Sequence, residues 1–328
     1  KKPKKNQFDA GAKFYYESVG AYNTNVYSTF GNPKNAATIN VGRNFFDGWS
    51  PIDTGRSKQW KQKEQYFGTV GYTYNFKNWN LGFKTDGLWE QIKDKGDRRS
   101  EFSNYAFDNW YTTNRWMNTL TSDINGIKKH KLNVIGSYTW FNRTKLRYNR
   151  DLVNLSQELT TNPIDHDTTN INTLLMRATL SSGFAGKLNY QLGADLNWEN
   201  TTGGRVEGNP EMGDYAMFGS FNWQATKRFV VQPALRYGYN TQFSAPVVPS
   251  INFQYKVAEK WQLRLSLANG FRAPSLKELY LDFVDINHNI TGNPGLTPEN
   301  SKHVHLYFTW NETFSETQQL KIEPSLFY

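Results

Sequence analysis

The chain has 328 residues and no cysteine, so disulfides, thiolate nucleophiles and cysteine-bound metals are excluded. Hydrophobic residues make up only 38% while aromatics reach 16%, and nowhere do ~18 apolar residues run together, which rules out a helical membrane protein. The net charge of +9 is spread over turns, loops and alternate strand positions, with KKPKK at 1–5 the one dense cluster, a distribution that argues against nucleic acid as a partner.

A period of two runs through almost the whole chain. Phe8, Ala10, Ala12, Phe14 and Tyr16 alternate with Asp9, Gly11, Lys13, Tyr15 and Glu17. Leu132, Val134, Gly136, Tyr138 and Trp140 repeat the pattern, followed by Leu174 to Leu180 and Leu188 to Trp198. Phe229, Val231, Pro233, Leu235 and Tyr237 come next, then Ile251, Phe253, Tyr255 and Val257. Strands of about ten residues, apolar on one face, are what a tilted bilayer-spanning strand requires; a soluble sandwich uses shorter ones.

The connections alternate as well. Short ones stand at 31–35, 77–80, 125–131, 185–187, 225–228 and 258–260, and longer polar stretches near 46–63, 94–104, 149–171 and 199–214. Short turns on one side and long loops on the other are expected of an outer-membrane barrel. The pattern predicts an all-β, transmembrane antiparallel barrel wall of about fifteen strands, with no helical period and no internal repeat. Trp140, Trp198, Trp223, Trp261 and Trp310 fall near strand ends, where amphipathic rings favour the membrane–water interface.

One long segment breaks the pattern: GFRAPSLKELYLDFVDINHNITGNPGLTPENS, 270–301. A loop of this length is normally functional or disordered, and Leu276, Leu279, Tyr280 and Phe283 make it too apolar for disorder. These apolar residues are expected to pack together, with the segment folded partly over a lumen. GFRAPSLKELY resembles the FRAP box of TonB-dependent outer-membrane receptors, and GNPGLTPENS their NP-x-L-x-P-E box. The start, KKPKKNQFDAG, is similar to the junction between that family's plug and barrel.

The resemblance covers essentially 1–328 and implies a 22-stranded barrel around a plug, so the plug and the last strands are expected to lie outside this sequence. It implies an active transporter of the Gram-negative outer membrane, with membrane lipids around it. The implied cargo is a scarce bulky nutrient such as haem, a ferric siderophore or cobalamin. Energy would come from the TonB complex acting through the plug, and a surface lipoprotein is a further candidate partner. The alternatives are a structural or docking subunit of a larger outer-membrane complex and a passive porin. Phe271, Arg272, Ala273, Pro274, Asn293, Pro294, Leu296, Pro298 and Glu299 carry the two boxes and are read as structural, with Arg272 holding the loop.

The candidate ligand-binding residues are His288, Tyr280, His303, His305 and Tyr307. In the strand at 301–310, Val304, Leu306, Phe308 and Trp310 share the face assigned to lipid, while His303, His305 and Tyr307 share the face assigned to the lumen. Polar lumen lining accounts for the two histidines without a metal. In haem receptors of the family a histidine between the boxes is an axial iron ligand, and His288 occupies that interval. Haem would be cargo, and no intrinsic cofactor is expected. No G-x-S-x-G or paired-carboxylate motif points to an enzyme.

Overall fold

The computed structural model describes residues 6–51, 55–127, 129–183, 186–284 and 289–328. The chain begins with β1 (Gln7–Glu17), β2 (Ala21–Gly31), β3 (Asn35–Phe46), β4 (Gln62–Asn75) and β5 (Trp79–Arg98). It continues with β6 (Tyr105–Ile127), β7 (His130–Asp151), the short β8 (Gln157–Leu159), β9 (Asp167–Ser182) and β10 (Leu188–Gly203). Then come β11 (Glu211–Gln224), β12 (Phe229–Asn240), β13 (Val247–Lys256) and β14 (Trp261–Arg272). Helix α1 (Leu276–Tyr280) and the small hairpin β15 (Phe283–Val284) and β16 (Asn289–Ile290) interrupt the wall before β17 (Glu299–Ser315). The last wall strand is split into β18 (Gln318–Ile322) and β19 (Ser325–Phe327), both paired to β17.

Each wall strand pairs antiparallel with its neighbours in the chain, β7 passing directly to β9 while β8 docks on the far end of β7. Counting β18 and β19 as one, this gives the fifteen-strand wall that the sequence predicts. Among the described residues β1 pairs only with β2, so the sheet is not closed.

The register joins the alternating apolar residues into one continuous face. Leu132 stands opposite Leu180, Leu180 opposite Leu192, Ala194 opposite Met217 and Met217 opposite Tyr237. Farther along, Ile251 meets Leu267 and Leu267 meets Val304. This outer face is bare: Met217 is 72% exposed. A single-layered wall buries almost nothing against itself, so its apolar side can be satisfied only by lipid.

Aromatic rings bound the apolar band. Trp79, Trp223, Trp261 and Trp310 lie at the short-turn end, with Trp261 and Trp310 stacked at 5.5 Å. Trp116 and Trp140, which face each other across β6 and β7, and Trp198 lie toward the other end. From Leu188 to Trp198, about ten residues at ~3.3 Å each and a tilt near ~40° cover about 25 Å, the height of a lipid-facing band.

Two expectations are corrected. Strands β5, β6 and β7 are 20, 23 and 22 residues long, so the stretches near 94–104 and 149–171 that read as loop are in part ladder. Above the apolar band both faces mix polar and aromatic residues, and the alternation that marks a strand is lost there although the hydrogen bonds continue. The break at 270–301 also holds a helical turn, α1, where no helical period was expected.

Candidate functional site

The connections at the two ends of the wall differ sharply. At one end they are short and include the turns 32–34, 76–78, 225–228, 257–260 and 316–317; at the other they are longer and include those between β3 and β4, β7 and β9, β10 and β11, and β14 and β17. The long-loop end is tied together by charge. Arg56 of the loop after β3 donates twice to the buried Asp108 of β6 at 2.9 Å and once to the Gly96 carbonyl. Arg147 of β7 pairs with Asp165 at 2.6 Å and donates to Asn109 at 3.0 Å, holding the connection 152–166 against the strand. His166 completes that tie: its Nε2 donates to the Thr160 carbonyl, leaving Nδ1 to accept from the Arg147 amide.

The mouth segment 273–298 is built around one guanidinium. Arg272, the last residue of β14, donates to Glu299, the first of β17, through Nε (3.0 Å) and Nη2 (2.7 Å). It also donates to both carboxylate oxygens of Glu278 in α1, each at 3.0 Å. The arginine of the first box thereby grips the acid of the second, and one side chain closes the whole excursion. Bidentate arginine–carboxylate pairs fix geometry as well as supplying energy.

Glu278 does double duty. It accepts from the Ser275 amide at 2.7 Å, while Ser275 Oγ accepts from the Glu278 amide, a capping box that starts α1. The Arg272 guanidinium first, and the Ser275 amide second, hold the Glu278 carboxyl down at about 2.

The apolar residues of the segment fold inward. Leu276 and Leu279 are each 1% exposed, Pro274 is buried, and Tyr280 is half-buried. Leu281 forms an isolated bridge with buried Val206, Asp282 donates to the Arg205 carbonyl at 2.9 Å, and Glu207 donates to the Tyr280 carbonyl. The segment therefore spans from the end of β14 to the connection after β10, past the ends of β11, β12 and β13.

Asn293, Pro294 and Gly295 form a turn in which Asn293 Oδ1 accepts from the Gly295 amide and Leu296 donates back to the Asn293 carbonyl. Gly292 lies so close to α1 that a Cβ there would stand 2.7 Å from the Leu279 carbonyl oxygen. Phe271 and Ala273 are half-buried, and Leu296, Pro298 and Glu299 lie on the way into β17.

The candidate ligands separate into two groups. His303, His305 and Tyr307 do share the polar face, opposite Ala268, Ser266 and Arg264; Val304, Leu306 and Phe308 share the other with Leu267, Leu265 and Leu263. His303 bonds Ser301 Oγ at 2.8 Å. The His305 ring lies 3.9 Å from that of Tyr307 and edge-on to Phe327, and its Nε2 is buried without a partner. Both residues line a polar depression with Gln232, Gln254, Arg264 and Glu323. Tyr280 stands apart, at the end of α1 in the mouth segment. His288 and the side chain of Phe283 lie outside the described residues. Among the described residues no three His, Asp or Glu side chains converge as a metal-binding group.

The sequence reading missed Glu278, Gly292 and Val206. Ser275-x-x-Glu278 ahead of apolar residues is a legible helix-start signal. Val206 carries no signal that sequence alone reveals.

An open meander with one lipid-compatible face, two aromatic girdles and a clamped mouth segment defines a transmembrane β-barrel wall. The family model for the TonB dependent receptor-like β-barrel matches residues 7–322, and the chain belongs to that family. No curated protein matches the chain. Among solved structures, the siderophore receptor PirA from Acinetobacter baumannii superposes with a TM-score of 0.70 at 13% identity, covering 100% of this chain and 53% of its own. The ferric enterobactin receptor PfeA from Pseudomonas aeruginosa gives 0.67 at 11% identity, covering 95% and 52%. The copper transporter OprC gives 0.65 at 12% identity, covering 94% and 52%. At such identities the likeness is one of fold, and this chain spans about half the length of these structures.

Proposed function

We propose that this chain is barrel wall from a TonB-dependent importer of the Gram-negative outer membrane, completed by a plug and further strands. The reading rests on the mouth segment: Arg272 ties both family boxes into one closed structure at the long-loop end. The unpaired edge of β1 and the half-length coverage support further strands, since lipid tolerates no open sheet edge.

The cargo is a bulky nutrient drawn from ferric siderophores, haem and cobalamin. Siderophore receptors among the structural neighbours favour the first. Tyr280, at the mouth, and His303, His305 and Tyr307, on the inner wall, are the proposed contacts, with His288 an axial ligand if the cargo is haem. Uptake of radiolabelled ferric siderophore, haem and cobalamin by cells carrying the full-length protein, with and without a working TonB complex, tests the proposal. Energy-dependent uptake of one cargo is expected. Uptake that persists without TonB makes the protein a passive pore, and none of any cargo makes it a scaffold. Changing His288 to Ala should weaken haem binding and alter the haem absorption spectrum, or leave both unchanged if haem is not the cargo.

A further inference from the structure

The short-turn end of the wall carries a charge pattern that import does not use. Its turns bear Lys34, Lys77, Lys129, Lys187, Lys227 and Arg228, all exposed. Among the described residues none of the six has an acid within ion-pair reach. Lys260 adds a further cation, paired with Glu312 at 2.5 Å. At the long-loop end Arg56, Arg147 and Arg272 are each matched to a carboxylate, while Arg98, Arg99 and Arg150 have no acid partner among the described residues. The exposed acids Glu259 and Glu316 share the short-turn rim, and the six unpaired cations outnumber them.

The cations also sit at a defined depth. Lys77 lies in the turn between Phe76 and Trp79, whose rings stack at 3.8 Å. Lys227 and Arg228 lie between Trp223 and Phe229, and Lys187 immediately precedes Leu188, which stands opposite Trp223. Each lies just beyond the aromatic girdle that marks the edge of the hydrocarbon. Phosphates of lipid headgroups occupy that level.

We infer that this rim is a docking ring for anionic phospholipid headgroups of the leaflet facing the short turns, the periplasmic one by the barrel rule. The inference rests on the membrane-barrel reading above. A soluble acidic protein would call for a contiguous patch, whereas these cations are distributed turn by turn around the wall, as an annulus of lipid would meet them. Each cation near an anionic surface strengthens association roughly fivefold, so the ring enriches anionic lipid even where it is a minor component.

The test uses the full-length protein in vesicles of phosphatidylcholine with a fifth part phosphatidylglycerol. Protein–lipid discs are excised with a polymer and their lipid quantified by mass spectrometry. Wild-type discs should hold phosphatidylglycerol at least twofold above the bulk, and half-molar salt should reduce the excess. Neutralising the six positions (Lys34→Gln, Lys77→Gln, Lys129→Gln, Lys187→Gln, Lys227→Gln, Arg228→Gln) should return the ratio to bulk, whereas a lysine-to-arginine set should keep it. If the sixfold variant does not fold, Lys187→Gln with Lys227→Gln and Arg228→Gln should lose about half the excess. Insertion without enrichment, or enrichment that survives neutralisation, overturns the docking ring alone. Failure of the wild-type protein to insert into pure phosphatidylcholine overturns the barrel reading with it.

Discussion

Strand β17 and the segment just before it adjoin in the chain and are held by opposite means. β17 is laddered to β14 on one side and to β18 and β19 on the other, so its position is shared among many equivalent backbone bonds. Among its described residues the segment 273–298 has almost no ladder. Two buried leucines, one arginine, one close glycine contact and a few backbone bonds to 205–207 fix it. A distributed structure tolerates the loss of any one side chain, and a concentrated one does not.

The largest break in that contrast is expected at Leu279. Leu279→Ala should remove about 2–5 kcal/mol from the local opening free energy of the segment, as burial losses of this kind do. Hydrogen exchange in 276–282 should rise while exchange in β14 and β17 stays slow; equal change in all three would mean that the segment and wall are one unit. Next, Leu306→Arg places a charge on the lipid face and should cost about 2–4 kcal/mol in refolding into vesicles, whereas His305→Asn on the opposite face should cost about 1 kcal/mol or less. Similar costs at the two positions would reverse the face assignment.

A smaller and purely local effect is expected of Arg272→Met. It leaves Glu278 and Glu299 without their shared partner, so limited proteolysis between 276 and 298 should quicken in the folded protein while heat resistance of the barrel is kept. Smallest is the response to acid. The Glu278 carboxyl titrates at about 2 in the folded segment against an ordinary 4.5. Its contribution is therefore complete above about pH 4.5 and is lost as pH falls toward 2. Protease susceptibility of the segment should rise across that window, and Glu278→Gln should flatten the rise.

How far the sequence foretold this depends on where lipid ends. Within the apolar band, alternation at Val304, Leu306 and Phe308 against His303, His305 and Tyr307 fixes the faces, because the solvent differs on the two sides. In the upper reaches of β5, β6 and β7 neither side faces lipid, so polar residues such as Asp108, covered by Arg56, and Asn109 succeed each other without a period although the ladder continues. Helix α1 is too short to show a period of 3.6, yet its capping box was readable at Ser275 and Glu278. The two boxes are legible as motifs; that Arg272 joins them, and that Val206 receives the segment, shows only in the folded chain.

The neighbour-to-neighbour pairing of the wall also dictates an order of assembly. Each hairpin can form and attach without waiting for a remote stretch of chain, and loop-closure entropy stays small at every such step. The bridge from Leu281 back to Val206 is of another kind. Its two ends come within reach only after β10 to β14 stand side by side, so the mouth is expected to lock late. A chain stalled partway through β11 to β14 would therefore carry a finished early wall and an unlatched mouth, with Leu276 and Leu279 still open to water.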